Sequence, residues 1–196
     1  MQIDKRILKT RNHLKNTLIS MLDTCPFEKI TVKAICDRSN TSRITFYTHY
    51  HDKYELVDDL SEDMLAAAQK EYIKLQEKNN KNHNPITSYC NFLECILNMY
   101  YQNFKFFSHT SPTENPYLNF YFYKYILKYL EIHAKKRSSS LKPKYSPKKI
   151  AGFLCYGLWG FIAEGLAEKC PIEQIKSEAI TILKGILQFE ILTNNN

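Results

Sequence analysis

Between Thr31 and Leu56 the sequence runs TVKAICDRSNTSRITFYTHYHDKYEL, and this stretch limits the fold more than any other. Thr31 precedes an apolar set at i, i+3 and i+4, Val32, Ile35 and Cys36, so it reads as the N-cap of a short helix with those three inward. Ser39-Asn40-Thr41 is too polar to prolong that helix, and Asn40 suits a left-handed backbone position. Ser42 offers a second N-cap, for Arg43 to His49, where Ile44 and Tyr47 stand three apart and are expected to face inward together. Arg43, Thr45 and Thr48 take other faces. Two short helices and a tight turn make a helix-turn-helix, in which the second helix enters the major groove and the first crosses the backbone.

With 44% hydrophobic residues in 196, the chain has enough apolar material for a real core. Only five glycines and seven prolines, among long periodic apolar runs, favour an all-α fold over a turn-rich β protein. The formal charge of +7 allows a polyanionic partner. Residues 1–53 carry ten Lys/Arg against five Asp/Glu, while residues 54–77 carry two against seven, so the sign changes where the motif ends. Residues 78–150 are basic again, twelve against three, so total charge does not by itself select the N-terminal face.

The six cysteines contain no C-x-x-C pair, and Met1 to Lys15 alternates charge and polarity rather than forming an apolar leader. A reduced, cytoplasmic protein is expected. The longest apolar run, Phe153 to Ala163, is broken by glycines and soon followed by Glu164, which favours a buried helix over a membrane span. The sequence holds no G-x-S-x-G, Walker, H-E-x-x-H or dinucleotide-binding motif, so an enzyme is not expected; a helical enzyme is a remote alternative. His49, His51 and Asp52 read as ordinary polar neighbours, and Cys90 and Cys95 are poorly spaced to share a face. Neither a metal nor a cofactor is expected.

In chain order, Ile3 to Thr24 reads as an amphipathic helix with Ile7, Leu8, Leu14, Leu18, Ile19, Met21 and Leu22 on its apolar side. Lys5, Arg6, Lys9, Arg11 and Lys15 are expected to keep the other side in water. Cys25-Pro26-Phe27 ends the helix, and Phe27 and Ile30 plug the base of a three-helix core. Asp52 caps a long helix from Lys53, and the run EKNNKNHNP from Glu77 to Pro85 breaks the pattern. Further helices are expected over Ile86 to Phe107, Leu118 to His133, Lys148 to Lys169 with Ser146 and Pro147 opening it, and Ile172 to Leu192. The division expected is residues 1–52 as a three-helix domain and 53–196 as a larger helical bundle.

Tyr89 to Tyr129 holds fourteen aromatic residues. Tyr89, Phe92, Tyr100, Phe104, Phe107, Phe120, Tyr121 and Tyr125 are candidates to line a cavity for an apolar, aromatic or cationic small molecule, with Glu94 or Glu131 facing a cation. An aromatic-rich core accounts for the same residues equally well. In the last two helices Gly157, Gly160, Ala163, Ala167 and Ala179 permit close helix approach. Phe153, Trp159, Phe161, Ile162, Ile175, Ile182 and Ile186 supply apolar area for either a monomer's core or a homodimer interface. Dimerisation gains support from the motif, because a two-fold molecule reads two half-sites.

From about Arg11 to Leu56, and above all in the run SRITFYTHYHDKYEL from Ser42 to Leu56, the chain resembles the N-terminal DNA-binding domain of the TetR/AcrR family of bacterial transcriptional regulators. The resemblance implies an all-helical homodimer, with a three-helix domain reading an operator and a body binding a small effector. It implies most often a repressor that leaves its operator when the effector binds. An activator, or a regulator controlled by a protein partner, is the alternative. By the same resemblance Thr31 caps the first motif helix at the DNA backbone, Ser42 opens the recognition helix, and Arg43, Thr45 and Thr48 lie on it. Tyr47, His49 and Lys53 occupy positions that touch phosphates. The family has glycine where this chain has Asn40, and glycine before the first motif helix where it has Cys25-Pro26-Phe27. Physically, Arg43 can pair with guanine O6 and N7 or reach a phosphate, the threonines can meet a thymine methyl or a phosphate, and Phe46 suits the core or a wedge against the next helix.

Overall fold

The computed structural model describes residues 5–110, 115–118, 120, 123, 124, 126, 127 and 146–188. Every regular element among them is helical. In order they are α1 (Lys5–Leu22), a 3-10 turn (Phe27–Lys29), α2 (Val32–Arg38), α3 (Arg43–Tyr47), α4 (Lys53–Asn79), α5 (Pro85–Gln102), α6 (Phe104–Phe107), α7 (Pro147–Ala167) and α8 (Ile172–Ile186). Within the expected helix over 118–133 only Leu118, Phe120, Tyr123, Lys124, Ile126 and Leu127 are described, and each is helical. The stretch beyond Gln188 lies outside the described residues. None of the described helices is long and apolar enough to cross a membrane, and the described residues hold no group of three or more His, Cys, Asp or Glu placed to bind a metal ion.

The chain divides into two compact units, one of residues 1–69 and 99–119, the other of 70–98 and 120–196. The first unit therefore extends past residue 52 and takes in a segment from the middle of the chain. Its core is Leu14, Leu18, Phe27, Ile30, Ile35, Phe46, Leu56 and Val57, all at most 2% exposed. Phe27 stacks on Tyr117 at 5.4 Å between ring centroids, and its backbone N–H donates to the Asn115 side chain at 2.6 Å.

The first turns of α1 differ from the expected amphipathic pattern. Ile7 and Leu8 are exposed, whereas Lys15 is only 5% exposed. The burial of Lys15 follows from a charge network: Asp59 on α4 accepts hydrogen bonds from Arg11, from the Lys15 ammonium at 2.8 Å and from the Tyr50 hydroxyl at 2.6 Å, and Lys15 also pairs with Asp63. A buried ammonium is tolerable where its charge is matched.

In the second unit the α4–α5 turn closes around Asn80, 1% exposed, whose side-chain nitrogen lies within hydrogen-bond distance of Gln76 Oε1, Ser88 Oγ and the Asn84 carbonyl and whose side-chain oxygen accepts from the Asn84 N–H. Ser146 caps α7 by accepting from the Lys149 N–H, with Pro147 in the first turn as expected. Lys169, at φ 59°, ends that helix in the left-handed region. Its helix partner α8 packs tightly against Gly165, where a Cβ would come within 2.9 Å of Ile175. Gly157 and Gly160, expected to serve close approach, have open space at their Cβ positions. Cys25, Cys36, Cys90, Cys95 and Cys170 are free thiols, and burial pushes Cys95 up to about 12.

Candidate nucleic-acid interface

The helix-turn-helix is built by local hydrogen bonds. Thr31 Oγ1 accepts from the Ala34 N–H at 3.1 Å and Ser42 Oγ from the Thr45 N–H at 3.0 Å, so each motif helix carries its own N-cap. Between them Asn40 sits at φ 49°. The Thr41 N–H donates to the Cys36 carbonyl at 3.0 Å and the Asn40 N–H to Asp37 at 3.4 Å, the paired closure of a left-handed helix C-terminus. Asparagine thus holds the position without a glycine. The His13 ring meets the Ser39 carbonyl at 2.9 Å and ties the turn to α1.

α3 buries Phe46, 0% exposed, with Tyr50 just beyond it at 2% and the two rings 5.7 Å apart. Ile44 and Tyr47, expected to face inward, are 81% and 56% exposed. Five helical residues give less than two turns, and the inner side is taken by Phe46 and Tyr50, so Ile44 and Tyr47 fall on the outer face. Ser42, Arg43 and Thr48 are exposed as well, and Thr45 and His49 are half-buried. The Ser42 and Thr45 hydroxyls share a hydrogen bond of 2.8 Å, and the Thr48 hydroxyl donates to the Thr45 carbonyl at 2.6 Å.

Asp52 opens α4 as anticipated, accepting from the Tyr54 and Glu55 N–H groups at 2.8 and 2.9 Å. Lys53, expected by resemblance to touch phosphate, has acceptors within the protein. Its ammonium donates to the carbonyls of Phe27, Glu28 and Ile30 at 2.8, 3.0 and 2.9 Å and lies 4.5 Å from the Phe27 ring centre. Three carbonyls use all three ammonium protons, and burial lowers the lysine's pKa.

No family model matches the chain. A stretch of 66 residues, 33% of the chain, is 35% identical to the uncharacterized HTH-type transcriptional regulator YxbF of Bacillus subtilis (strain 168) and covers 17% of that protein's length. A solved structure assigned to the TetR-family transcriptional regulators, from Syntrophomonas wolfei, has 13% identity and a TM-score of 0.67 over 91% of this chain and 94% of its own. The TetR transcriptional regulator of Streptococcus agalactiae has 23% identity and a TM-score of 0.53 over 92% and 96%. The fold is that of the TetR-family regulators.

Within this TetR fold, the aromatic residues singled out from sequence are distributed over both units. Tyr100 and Phe107 are buried and stacked at 5.3 Å, with Phe104 edge-on to Tyr100 at 6.0 Å, all in the first unit. Tyr89, Phe92 and Glu94 are half-buried on α5 and Phe120 is 61% exposed, all in the second. Tyr121, Tyr125 and Glu131 lie outside the described residues. On α7 and α8, Ile162 and Ile175, grouped from sequence with interface candidates, are 7% and 1% exposed and belong to the unit's own core. Phe153 and Ile182 are 64% and 43% exposed, and with Phe161 and Ile186 they border an open apolar groove of about 160 Å³. Trp159 is half-buried.

Proposed function

We propose that the chain is a sequence-specific DNA-binding transcriptional regulator that acts as a homodimer and is controlled by a small-molecule effector. The observation that carries this reading is the outer face of α3. Arg43, Ile44, Tyr47 and Thr48 stand exposed on a helix whose start and turn are held by hydrogen bonds within the motif and whose inner face is packed by Phe46 and Tyr50. A helix held so firmly by its own domain, with its outward side chains in water, suits insertion into a major groove. In this reading Arg43 contacts a guanine edge, while Tyr47, Thr48 and His49 border the phosphates. Lys53 positions the start of α4 against the turn at Phe27 to Ile30.

Repression with release by an apolar, aromatic or cationic effector is the form of control proposed, supported by the half-buried Tyr89 and Phe92, three residues apart on α5. The groove on α7 and α8 supports a second copy as the occupant of that face, since exposed Phe153 and Ile182 gain by burial there.

The test is selection of bound duplexes from a random-sequence pool by the full chain. The enriched site is then used for binding and reporter transcription with and without a panel of small molecules. A two-fold site, lost on adding an active compound with transcription rising, is the expected result. Arg43→Ala relaxes the preference at one position of each half-site. Lys53→Met leaves the salt dependence of binding unchanged, where a phosphate contact would have removed about one unit of slope. Binding without any enriched sequence refutes a sequence reader.

A further inference from the structure

We propose that Ile44 is a specificity-determining residue, reading the 5-methyl group of a thymine in the major groove. The inference rests on the DNA-reading role of α3. At 81% exposure Ile44 is the most exposed of the large apolar side chains described. Nothing about stability accounts for it. The inner positions of α3 are filled by Phe46 and Tyr50, and a β-branched side chain in water favours a helix slightly less than an unbranched one.

Its neighbours show what this side chain adds. On the outward face Arg43, Tyr47 and Thr48 all carry groups that donate or accept hydrogen bonds. Ile44 carries none. Tyr47, three residues on and 56% exposed, places its ring on the same side, so an apolar ridge runs through an otherwise hydrogen-bonding surface. Of the four natural bases only thymine presents an apolar group in the major groove, the C5 methyl. Against the donor and acceptor edges of the other bases, the branched alkyl group would strip water from polar atoms and return no hydrogen bond. Ile44 thus favours thymine by burying its methyl and disfavours the alternatives by leaving them unsatisfied.

The experiment uses the full chain and a duplex selected by it from a random-sequence pool. Each thymine of the site is replaced singly by deoxyuridine, which removes the methyl group and leaves base pairing intact. At one thymine in each half-site the replacement is expected to weaken the wild-type protein about fourfold, the value of one buried methyl. In Ile44→Ala the same replacement costs nothing, and in Ile44→Val it costs an intermediate amount, with thermal unfolding of both variants unchanged. If no thymine is sensitive to loss of its methyl, or if every sensitive thymine stays equally sensitive in Ile44→Ala, the assignment of Ile44 is overturned while DNA reading stands. If selection enriches no sequence at all, the reading role of α3 falls, and the inference falls with it.

Discussion

Asp59 gathers three hydrogen-bonding groups from one helix and the end of the motif: Arg11 and Lys15 on α1, and the Tyr50 hydroxyl. Burial by itself would raise its pKa, but the hydrogen bonds from Arg11, Lys15 and Tyr50 outweigh this and hold the carboxyl below its ordinary range. A carboxylate depressed in the folded state stabilises the fold above the unfolded pKa, and that contribution disappears as pH falls through the folded one. Asp59→Asn leaves two cations on α1 short of a buried counter-charge, at a cost of about 3 kcal/mol near neutral pH. The difference from wild type should begin to shrink below about pH 4, where the carboxylate starts to protonate in the unfolded chain, and should vanish as pH falls through the lower folded value. Urea unfolding at both pH values measures this, and a gap that stays constant with pH would refute the charge assignment.

The turn between α2 and α3 depends on one backbone state, Asn40 at φ 49°. A β-branched residue is strained there, so Asn40→Val should lose about 1–2 kcal/mol in thermal unfolding, while Asn40→Gly should stay within about 1 kcal/mol of wild type. A valine variant as stable as wild type would show that the turn does not need the left-handed residue. This element was legible in sequence because its chemistry is local. Thr31 and Ser42 each bond to an N–H three residues on, and Asn40 lies within four residues of the carbonyl that closes the turn. The outward direction of Ile44 was not legible, since in five helical residues an i, i+3 pair does not reveal which side is inside. Lys15 was misread for the opposite reason. Its partner Asp59 is 44 residues away, on an element that periodicity alone does not bring to α1. The glycine that matters on α7 is Gly165, set by the approach of Ile175, which no spacing of small residues within α7 could single out.

On the scale of the molecule, the first unit is discontinuous, and the hydrogen bond from Phe27 to Asn115 joins residues 88 apart. Segments so distant in sequence leave no periodic signature. The same holds for an interface with a second copy, because exposed and buried isoleucines on one helix look alike in sequence. Ile175 and Ile182 both lie on α8, yet one is 1% and the other 43% exposed. If the groove bordered by Phe153 and Ile182 is where a second copy sits, placing charges there removes apolar contact and adds the cost of burying them. Phe153→Glu combined with Ile182→Glu should therefore sediment as a monomer at concentrations where wild type is a dimer. Both positions are exposed in the single chain, so its helicity should be retained. Operator affinity should fall on the order of 100-fold, because each head then holds its half-site without its partner, while affinity for an isolated half-site is unchanged. Sedimentation equilibrium and binding to full and half operators separate these outcomes, and an undiminished dimer would place the interface elsewhere on the chain.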